Sequence, residues 1–106
     1  MSVKKFFYLL LFFSSLSFAQ NKGMLSGRIV DKSTSEPLIN AEIINKETAK
    51  GTATNEKGFY SLYLPKGSYT IGFYYLGYQS ISKKITISGD TKQNIALTPE
   101  KQEIGE

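Results

Sequence analysis

The sequence of 106 residues contains no cysteine, no histidine and no tryptophan. These absences exclude disulfides, thiol nucleophiles, Cys/His zinc sites and imidazole general bases. We therefore predict no metal centre and no cofactor, and stability must come from a hydrophobic core and paired strands. An exported domain without cysteine is also more typical of a bacterium than of a eukaryotic secretory pathway.

The N-terminal segment Met1–Ala19 is typical of a secretory signal peptide. Two lysines precede the apolar run Phe6–Phe13, and Ser17 and Ala19 supply small residues next to a cleavage site. The run of about eight residues is far shorter than the roughly 18–20 that a spanning helix needs. We therefore predict an exported mature chain that begins at Gln20 and has no transmembrane segment.

Removal of 19 of the 106 residues leaves 87, which is enough for one small domain. This part keeps 11 of the 13 basic residues and all 9 acidic residues, a formal charge of +2. The lysines are scattered rather than clustered, so nucleic acid is not a predicted partner.

Turn-forming residues recur about every 8–12 residues, with β-branched and aromatic residues between them, which predicts an all-β sandwich. The segment 20–97 forms this domain, and the polar segment Thr98–Glu106 is predicted to be an unpacked tail. The seven predicted strands are Met24–Val30, Ala41–Asn45, Gly51–Thr54, Phe59–Leu64, Ser68–Leu76, Ser80–Ile87 and Gln93–Leu97.

Period-two alternation assigns the two faces of each strand. Lys83 has the same parity as the inward residue Ile85, so either its ammonium reaches the rim of the sheet or a bulge shifts the register. The predicted core is Leu25, Ile29, Ala41, Ile43, Tyr60, Leu62, Leu64, Tyr69, Ile71, Phe73, Tyr75, Ile85, Ile87, Ile95 and Leu97.

The stretch GTATNEKGFYSLYLP, residues 51–65, combines turn residues with aromatic ones. A strand and not a helix follows the turn, which argues against a phosphate-binding loop. Glu56 is a single carboxylate, whereas a calcium loop needs several. We predict a tight turn in which Asn55 bonds local backbone and Gly58 has a positive φ.

Three aromatic residues, Phe59, Tyr63 and Tyr74, have outward parity. They form a candidate contact surface for a protein or a stacking platform for a sugar. Alternatively, another segment covers them, or they are ordinary residues of a half-wet sheet. The acidic residues fall in turns or at outward positions, so paired-carboxylate catalysis, and with it an enzyme, is not predicted.

Three segments, SGRIVDKSTSEPLINAEI, GTATNEKGFYSLYLP and YTIGFYYLGYQS, together resemble the carboxypeptidase-like regulatory domain. The resemblance covers Leu25–Leu97 and implies a seven-stranded, Greek-key-type β-sandwich like that of transthyretin (prealbumin). It also implies an accessory domain without peptidase metal ligands. The turn and motif residues that match are Gly27, Asp31, Pro37, Gly51, Asn55, Gly58, Pro65, Gly77 and Tyr78.

The resemblance also implies a cellular role. In Bacteroidetes-type bacteria, similar domains follow the signal peptide of TonB-dependent outer-membrane receptors, and the residues EIGE, Glu103–Glu106, resemble those before the TonB box. We therefore expect a non-catalytic periplasmic module, associated with the outer membrane, that contacts a receptor plug, barrel or other protein as a receptor fragment or paralogue. The alternative is a stand-alone carbohydrate-binding or surface-adhesion module.

Overall fold

The computed structural model describes residues 22–100, which form a β-sandwich of two sheets. The predicted signal peptide lies outside these residues. Within this range no helix is long and apolar enough to cross a membrane. The strands are β1 (Lys22–Asp31), β2 (Glu42–Asn45), β3 (Gly51–Ala53), β4 (Phe59–Pro65), β5 (Gly67–Tyr74), β6 (Ile81–Ile87), β7 (Asp90–Lys92) and β8 (Ile95–Leu97).

The two sheets have different pairing patterns. In sheet one, β1 lies between β4 on one side and β7 with β8 on the other. β4 runs antiparallel to β1, whereas β7 and β8 run parallel to it. Sheet two has the order β3-β2-β5-β6 and is antiparallel throughout. The edges of the sandwich are therefore β4, β7 with β8, β3 and β6.

The inner faces of both sheets form one hydrophobic core, and the predicted inward residues compose most of it. All of them are buried except Tyr69 and Tyr75, which are partly buried and pack against the core. The Tyr60 ring meets the Phe73 ring edge-on, with centroids 6.1 Å apart, and so joins the two sheets. Leu38 is a further core residue that was not predicted, because it lies in a loop where no alternation identifies it.

Lys83 lies on the inward-facing side of β6, yet its side chain is exposed. The register between β5 and β6 is unbroken and pairs Lys83 with the buried Ile71, so the alternative of a bulge is wrong. Because β6 is an edge strand, the lysine side chain reaches water at the rim of the sheet.

The last predicted strand, 93–97, differs from the structure, which contains β7 and β8 instead. The two strands keep the same register with β1, since Met24 pairs with Asp90 and Ile29 pairs with Ile95. They are therefore two halves of one strand that is interrupted at residues 93–94, and the described residues contain eight strands and not seven.

The interruption lies where the backbone of Gln93 comes very close to Gly27. A Cβ atom at this position would lie 1.9 Å from the carbonyl oxygen of Gln93. That oxygen accepts a 2.6 Å hydrogen bond from the Tyr60 hydroxyl. Beside it, the side-chain oxygen of Asn94 accepts the backbone N–H of Arg28 at 3.0 Å, in place of a regular strand partner.

The first residues of the predicted tail, 98–100, are hydrogen-bonded to the domain. The N–H of Gln79 donates to the carbonyl of Thr98 at 2.8 Å, and the N–H of Glu100 donates to the carbonyl of Gly77 at 2.9 Å. No residue pattern predicts this packing, because it uses backbone N–H and C=O groups that almost every residue type carries. Residues 101–106 lie outside the described part.

Gly27→Ala is expected to lower the free energy of unfolding by about 3 kcal/mol, because the new methyl group displaces Gln93 and breaks its bond with Tyr60. Denaturant unfolding of the two proteins measures the difference. Ser26→Ala, on the opposite face of the same strand, is the matched control and is expected to change stability by less than about 0.5 kcal/mol. Equal stability of Gly27→Ala and the unsubstituted chain would contradict the close approach of the Gln93 carbonyl to Gly27.

Candidate functional site

The three aromatic residues predicted as a contact surface do not lie together. Phe59 and Tyr63 lie on the outer face of sheet one, whereas Tyr74 lies on the outer face of sheet two. The outer faces of two packed sheets point in opposite directions. The prediction of a single platform therefore needs correction: strand parity indicates that a residue points outward, but it does not indicate from which sheet.

Phe59 is partly covered by a cation. The Arg28 guanidinium lies 5.5 Å from the centroid of the Phe59 ring, and its Nε donates to the carbonyl of Lys57 at 3.0 Å. One face of the ring is thus occupied by a cation–π contact. Tyr63, on the same strand, is 77% exposed against 49% for Phe59, so Tyr63 offers the larger free surface on sheet one.

Tyr74 is half-buried because its ring lies over Gly72, where a Cβ atom would come within 2.7 Å of the ring. It lines an open groove of about 430 Å³ at the end of sheet two, beside Leu76, which is 97% exposed. Sequence reasoning did not identify Leu76 as a surface residue, although its neighbour Gly77 marks a turn. The lining residues are Asn40, Glu42, Tyr74, Tyr75, Leu76, Tyr78 and Ser80.

Asp31 and Tyr78, two of the matched motif residues, form a hydrogen bond between distant parts of the chain. The Tyr78 hydroxyl donates to Asp31 Oδ2 at 2.5 Å, and Oδ1 accepts the N–H groups of Ser33 at 2.6 Å and Thr34 at 3.1 Å. The Tyr78 ring also packs edge-on against Tyr75, with centroids 5.3 Å apart. The carboxylate is buried but accepts three hydrogen bonds, which offset the loss of water.

These contacts shift the pKa values of both groups. The Tyr78 hydroxyl is the main cause that holds the pKa of Asp31 below its ordinary 3.8, assisted by the Ser33 and Thr34 amides against the opposing effect of burial. The bond to the Asp31 carboxylate, followed by burial, raises the pKa of Tyr78 to about 12. Asp31 is therefore an ionised structural acceptor and not an acid poised for proton transfer.

The turn at residues 55–58 has the predicted local geometry. Asn55 Oδ1 accepts the N–H groups of Lys57 and Phe59, both at 3.0 Å, and Gly58 has a φ of 83°. The carbonyl of Gly58 accepts the N–H of Ile29 at 2.8 Å and so attaches the turn to β1. Because Asn55 Oδ1 is already bonded to backbone N–H groups, the turn does not offer it as a ligand for a metal ion or another molecule.

The remaining motif residues also hold backbone in place. Pro37 forms an isolated bridge with Val30, Gly51 begins β3 where a side chain would contact the carbonyl of Ile43, and the carbonyl of Pro65 accepts the Tyr69 hydroxyl. Thr54, for which sequence reasoning gave no role, is buried, donates to the carbonyl of Leu38 at 2.5 Å and accepts the N–H of Ala41 at 2.9 Å.

Among residues 22–100, no group of three or more acidic, His or Cys side chains is placed to hold a metal ion. Glu42 is the one carboxylate that lines the Tyr74 groove. The chemistry that these surfaces offer is therefore stacking, apolar contact and hydrogen bonding. The contact roles of Phe59, Tyr63 and Tyr74 stay predictions.

Comparison with known proteins agrees with this architecture. A family model described as the CarboxypepD_reg-like domain matches residues 25–106. Bacillopeptidase F of Bacillus subtilis (strain 168) is 36% identical over 80 residues, which are 74% of this chain. Those residues are 6% of that protein, so the chain spans only a small part of its relative's length.

Solved structures with the same fold include a DUF3823 family protein from Bacteroides ovatus, with a TM-score of 0.61, 22% identity, and coverage of 74% of this chain and 44% of that one. A type II cohesin–X-dockerin complex from Acetivibrio cellulolyticus gives a TM-score of 0.59 at 18% identity over 69% of this chain and 52% of that chain. The predicted all-β sandwich is thereby confirmed.

The Asp31–Tyr78 bond predicts how stability depends on pH. The folded pKa of Asp31 is lowered, so its contribution is present above pH 3.8 and is lost as pH falls through the lower folded value. The folded pKa of Tyr78 is raised from 10.0, so its contribution is present below pH 10 and is lost as pH rises towards about 12. Tyr78→Phe is expected to lower Tm by a few degrees at pH 7. It is also expected to make the decreases of stability at low and at high pH smaller.

Thermal unfolding at a series of pH values measures this effect. Tyr63→Phe is the matched control, because its hydroxyl lies on an exposed side chain, and it is expected to leave both the Tm and its pH profile unchanged. A Tyr78→Phe profile that parallels that of the unsubstituted chain at every pH would contradict the role of the bond.

Proposed function

Because the chain belongs to the family of carboxypeptidase-regulatory-like domains, we propose that it is a non-catalytic exported accessory domain that acts by contact with other proteins. In the finer form of this proposal it is the N-terminal periplasmic module of a TonB-dependent outer-membrane receptor, as a fragment or a paralogue. The match of the family model to residues 25–106 is the observation that carries the proposal.

The surface of the domain supports a contact role. Tyr63, Leu76, Ile39 and Phe59 are large apolar side chains with between 46% and 97% of their area exposed. They are distributed over the surface and are not gathered in a deep cleft, which suits apposition to other proteins more than enclosure of a small substrate. The similarity to a cohesin–X-dockerin complex, which by its name is an assembly of proteins, supports the same role for the fold.

The C-terminal side of the domain supports the receptor form of the proposal. Thr98 and Glu100 are hydrogen-bonded to the turn that contains Gly77, and the neighbouring Tyr78 is bonded to Asp31 at the end of β1. Residues 98–100 are therefore held at a fixed point of the sandwich. The EIGE residues at 103–106, which follow this point in the sequence, resemble those before a TonB box.

Export predicts a processed N-terminus. When the full chain is expressed in a bacterium of its own type, mass spectrometry is expected to find Gln20 as the first residue, and fractionation is expected to place the protein in the periplasm or with the outer membrane. Ala19→Arg, which removes the small residue before the cleavage point, is expected to retain the uncleaved form. A cytoplasmic protein that still carries Met1 would contradict export.

The receptor form has a separate test. The genomic sequence directly after the Glu106 codon is expected to encode, in frame or after a frameshift, a hydrophobic TonB-box segment followed by a long β-barrel region. A stop codon followed by an unrelated gene would contradict the receptor-fragment form and leave the accessory-domain proposal standing.

The Tyr74 groove favours a second candidate function, in which the domain binds carbohydrate. The groove places tyrosine rings beside the polar side chains of Asn40, Glu42 and Ser80. Sugars are bound by this combination, because their apolar faces stack on aromatic rings and their hydroxyls need hydrogen-bonding groups at the rim. Tyr74 is the residue to test, since the hydroxyl of Tyr78 is already bonded to Asp31.

Titration of the full chain with oligosaccharides, followed by tyrosine fluorescence or NMR shifts, tests this candidate. Binding is expected to perturb the signals of the groove and to weaken at least about fivefold in Tyr74→Ala, which loses the stacking ring. Tyr63→Ala, on the opposite sheet, is expected to bind normally. If the signals stay unperturbed up to about 10 mM oligosaccharide, the carbohydrate-binding candidate is excluded.

A further inference from the structure

The four edges of the sandwich are protected to very different degrees. An edge strand exposes unpaired N–H and C=O groups on which another strand can pair, and short strands, lysines and interruptions prevent such pairing. β3 has only three residues. β6 carries Lys83 and Lys84, the first of them on its inward side. β7 and β8 are three residues each and are separated at residues 93–94.

β4 is not short, carries no lysine and is not interrupted, and its one protective residue is Pro65 at its end. Its seven residues, FYSLYLP, form one continuous strand without a charged side chain. Beside it lies an open groove of about 400 Å³, lined by Lys22, Gly23, Tyr63, Leu64 and Pro65. The strand is therefore the one edge among the described residues that is long, uncharged and uninterrupted.

The backbone groups on the free side of β4 follow from its register. The N–H of Ile29 donates to the carbonyl of Gly58, so Gly58 and, by alternation, Tyr60, Leu62 and Leu64 direct their backbone groups towards β1. The odd-numbered residues, from Phe59 to Pro65, therefore direct theirs towards the free edge.

Only two of these odd-numbered residues have free groups. The N–H and C=O of Phe59 are both bonded to Asn55, at 3.0 and 2.9 Å. Pro65 has no N–H, and its carbonyl accepts the Tyr69 hydroxyl at 2.8 Å. Ser61 and Tyr63 remain, with two N–H and two C=O groups that find no partner within residues 22–100.

We infer that this edge pairs with β4 of a second copy of the chain, in an antiparallel arrangement with Ser61 opposite Tyr63. Each Ser61–Tyr63 pair exchanges two hydrogen bonds, so the two-fold axis at Leu62 produces four and uses every free group. The same register places Phe59 opposite Pro65, the two positions that have no free group. No charges oppose each other along the strand, since it carries none.

The side chains agree with this register. On the outer face, the exposed Tyr63 ring of one copy lies directly opposite Ser61 of the other, a pair in which an aromatic ring meets a small side chain. The two copies of sheet one become one continuous sheet. Because the interface is small, the dimer is weak and forms only at high protein concentration. The inference does not depend on the proposed function.

Sedimentation of the full exported chain over a concentration series tests the pairing. The mass is expected to rise from monomer towards dimer as the concentration approaches about 1 mM. Ser61→Pro removes one edge N–H from each copy without touching the bonds to β1, and it is expected to raise the dissociation constant at least about tenfold. Ser61→Ala, which keeps the N–H, is expected to dimerise like the unsubstituted chain.

Amide exchange on the unsubstituted chain is an independent measurement that does not rely on the folding of a variant. The Ser61 and Tyr63 amides are expected to exchange fast in dilute solution and to become protected as the concentration rises. A mass that stays monomeric up to about 1 mM would overturn the inference, as would protection of these amides in the monomer, which indicates that another part of the same chain covers β4.

Discussion

The hydrogen bond from the Tyr78 hydroxyl to the Asp31 carboxylate connects parts of the structure that no strand pairing connects. Asp31 ends β1 in sheet one, whereas Tyr78 follows β5 of sheet two. A buried carboxylate is unfavourable unless its oxygens accept hydrogen bonds. The loop after β1 therefore also directs the backbone N–H groups of Ser33 and Thr34 towards Asp31. The turn at Gly77 can then hold the C-terminal segment. The Asp31 carboxylate thus supports the position of that segment, together with the bond from the Lys32 N–H to the Leu97 carbonyl.

β1 imposes the second constraint, because it pairs with β4 on one side and with β7 and β8 on the other. The parallel partner crosses it at Gly27, where only a residue without a Cβ atom lets the Gln93 carbonyl reach the Tyr60 hydroxyl. Asn94 then supplies a side-chain acceptor for Arg28. At its interruption, sheet one is thus held together by the backbone bond from the Gln93 N–H to the Ser26 carbonyl and by these two side-chain hydrogen bonds.

The sequence predicted the features that depend on neighbouring residues. Alternation in β4 and β5 was sufficient to place Leu62 and Phe73 in the core, and the turn chemistry of Asn55 and Gly58 is local. The features that it missed depend on distant partners. The break at residues 93–94 lies beside Gly27, far away in sequence, and the packing of Thr98 uses its carbonyl and not its side chain.

The aromatic residues show the same limit. Parity placed Tyr63 and Tyr74 outward correctly, but the pairing of strands between the sheets decided that they face opposite ways. Likewise, composition alone gave no sign that Arg28 lies over the Phe59 ring, because their proximity follows from the register of β1 with β4. The sequence thus predicts which residues point outward. Which of them share one surface depends on the topology of the strands.

The contrast between β6 and β4 gives the strongest reason to regard the edges as functional features. Lys83 lies on the inward side opposite the buried Ile71, where a hydrophobic side chain would provide more packing. Such a loss is understandable if it protects an edge from pairing. The same chain leaves β4 uncharged and displays Tyr63 on it with 77% of its area in water. The chain thus protects β6 from pairing at a cost to its core, whereas it leaves β4 available to pair with another strand.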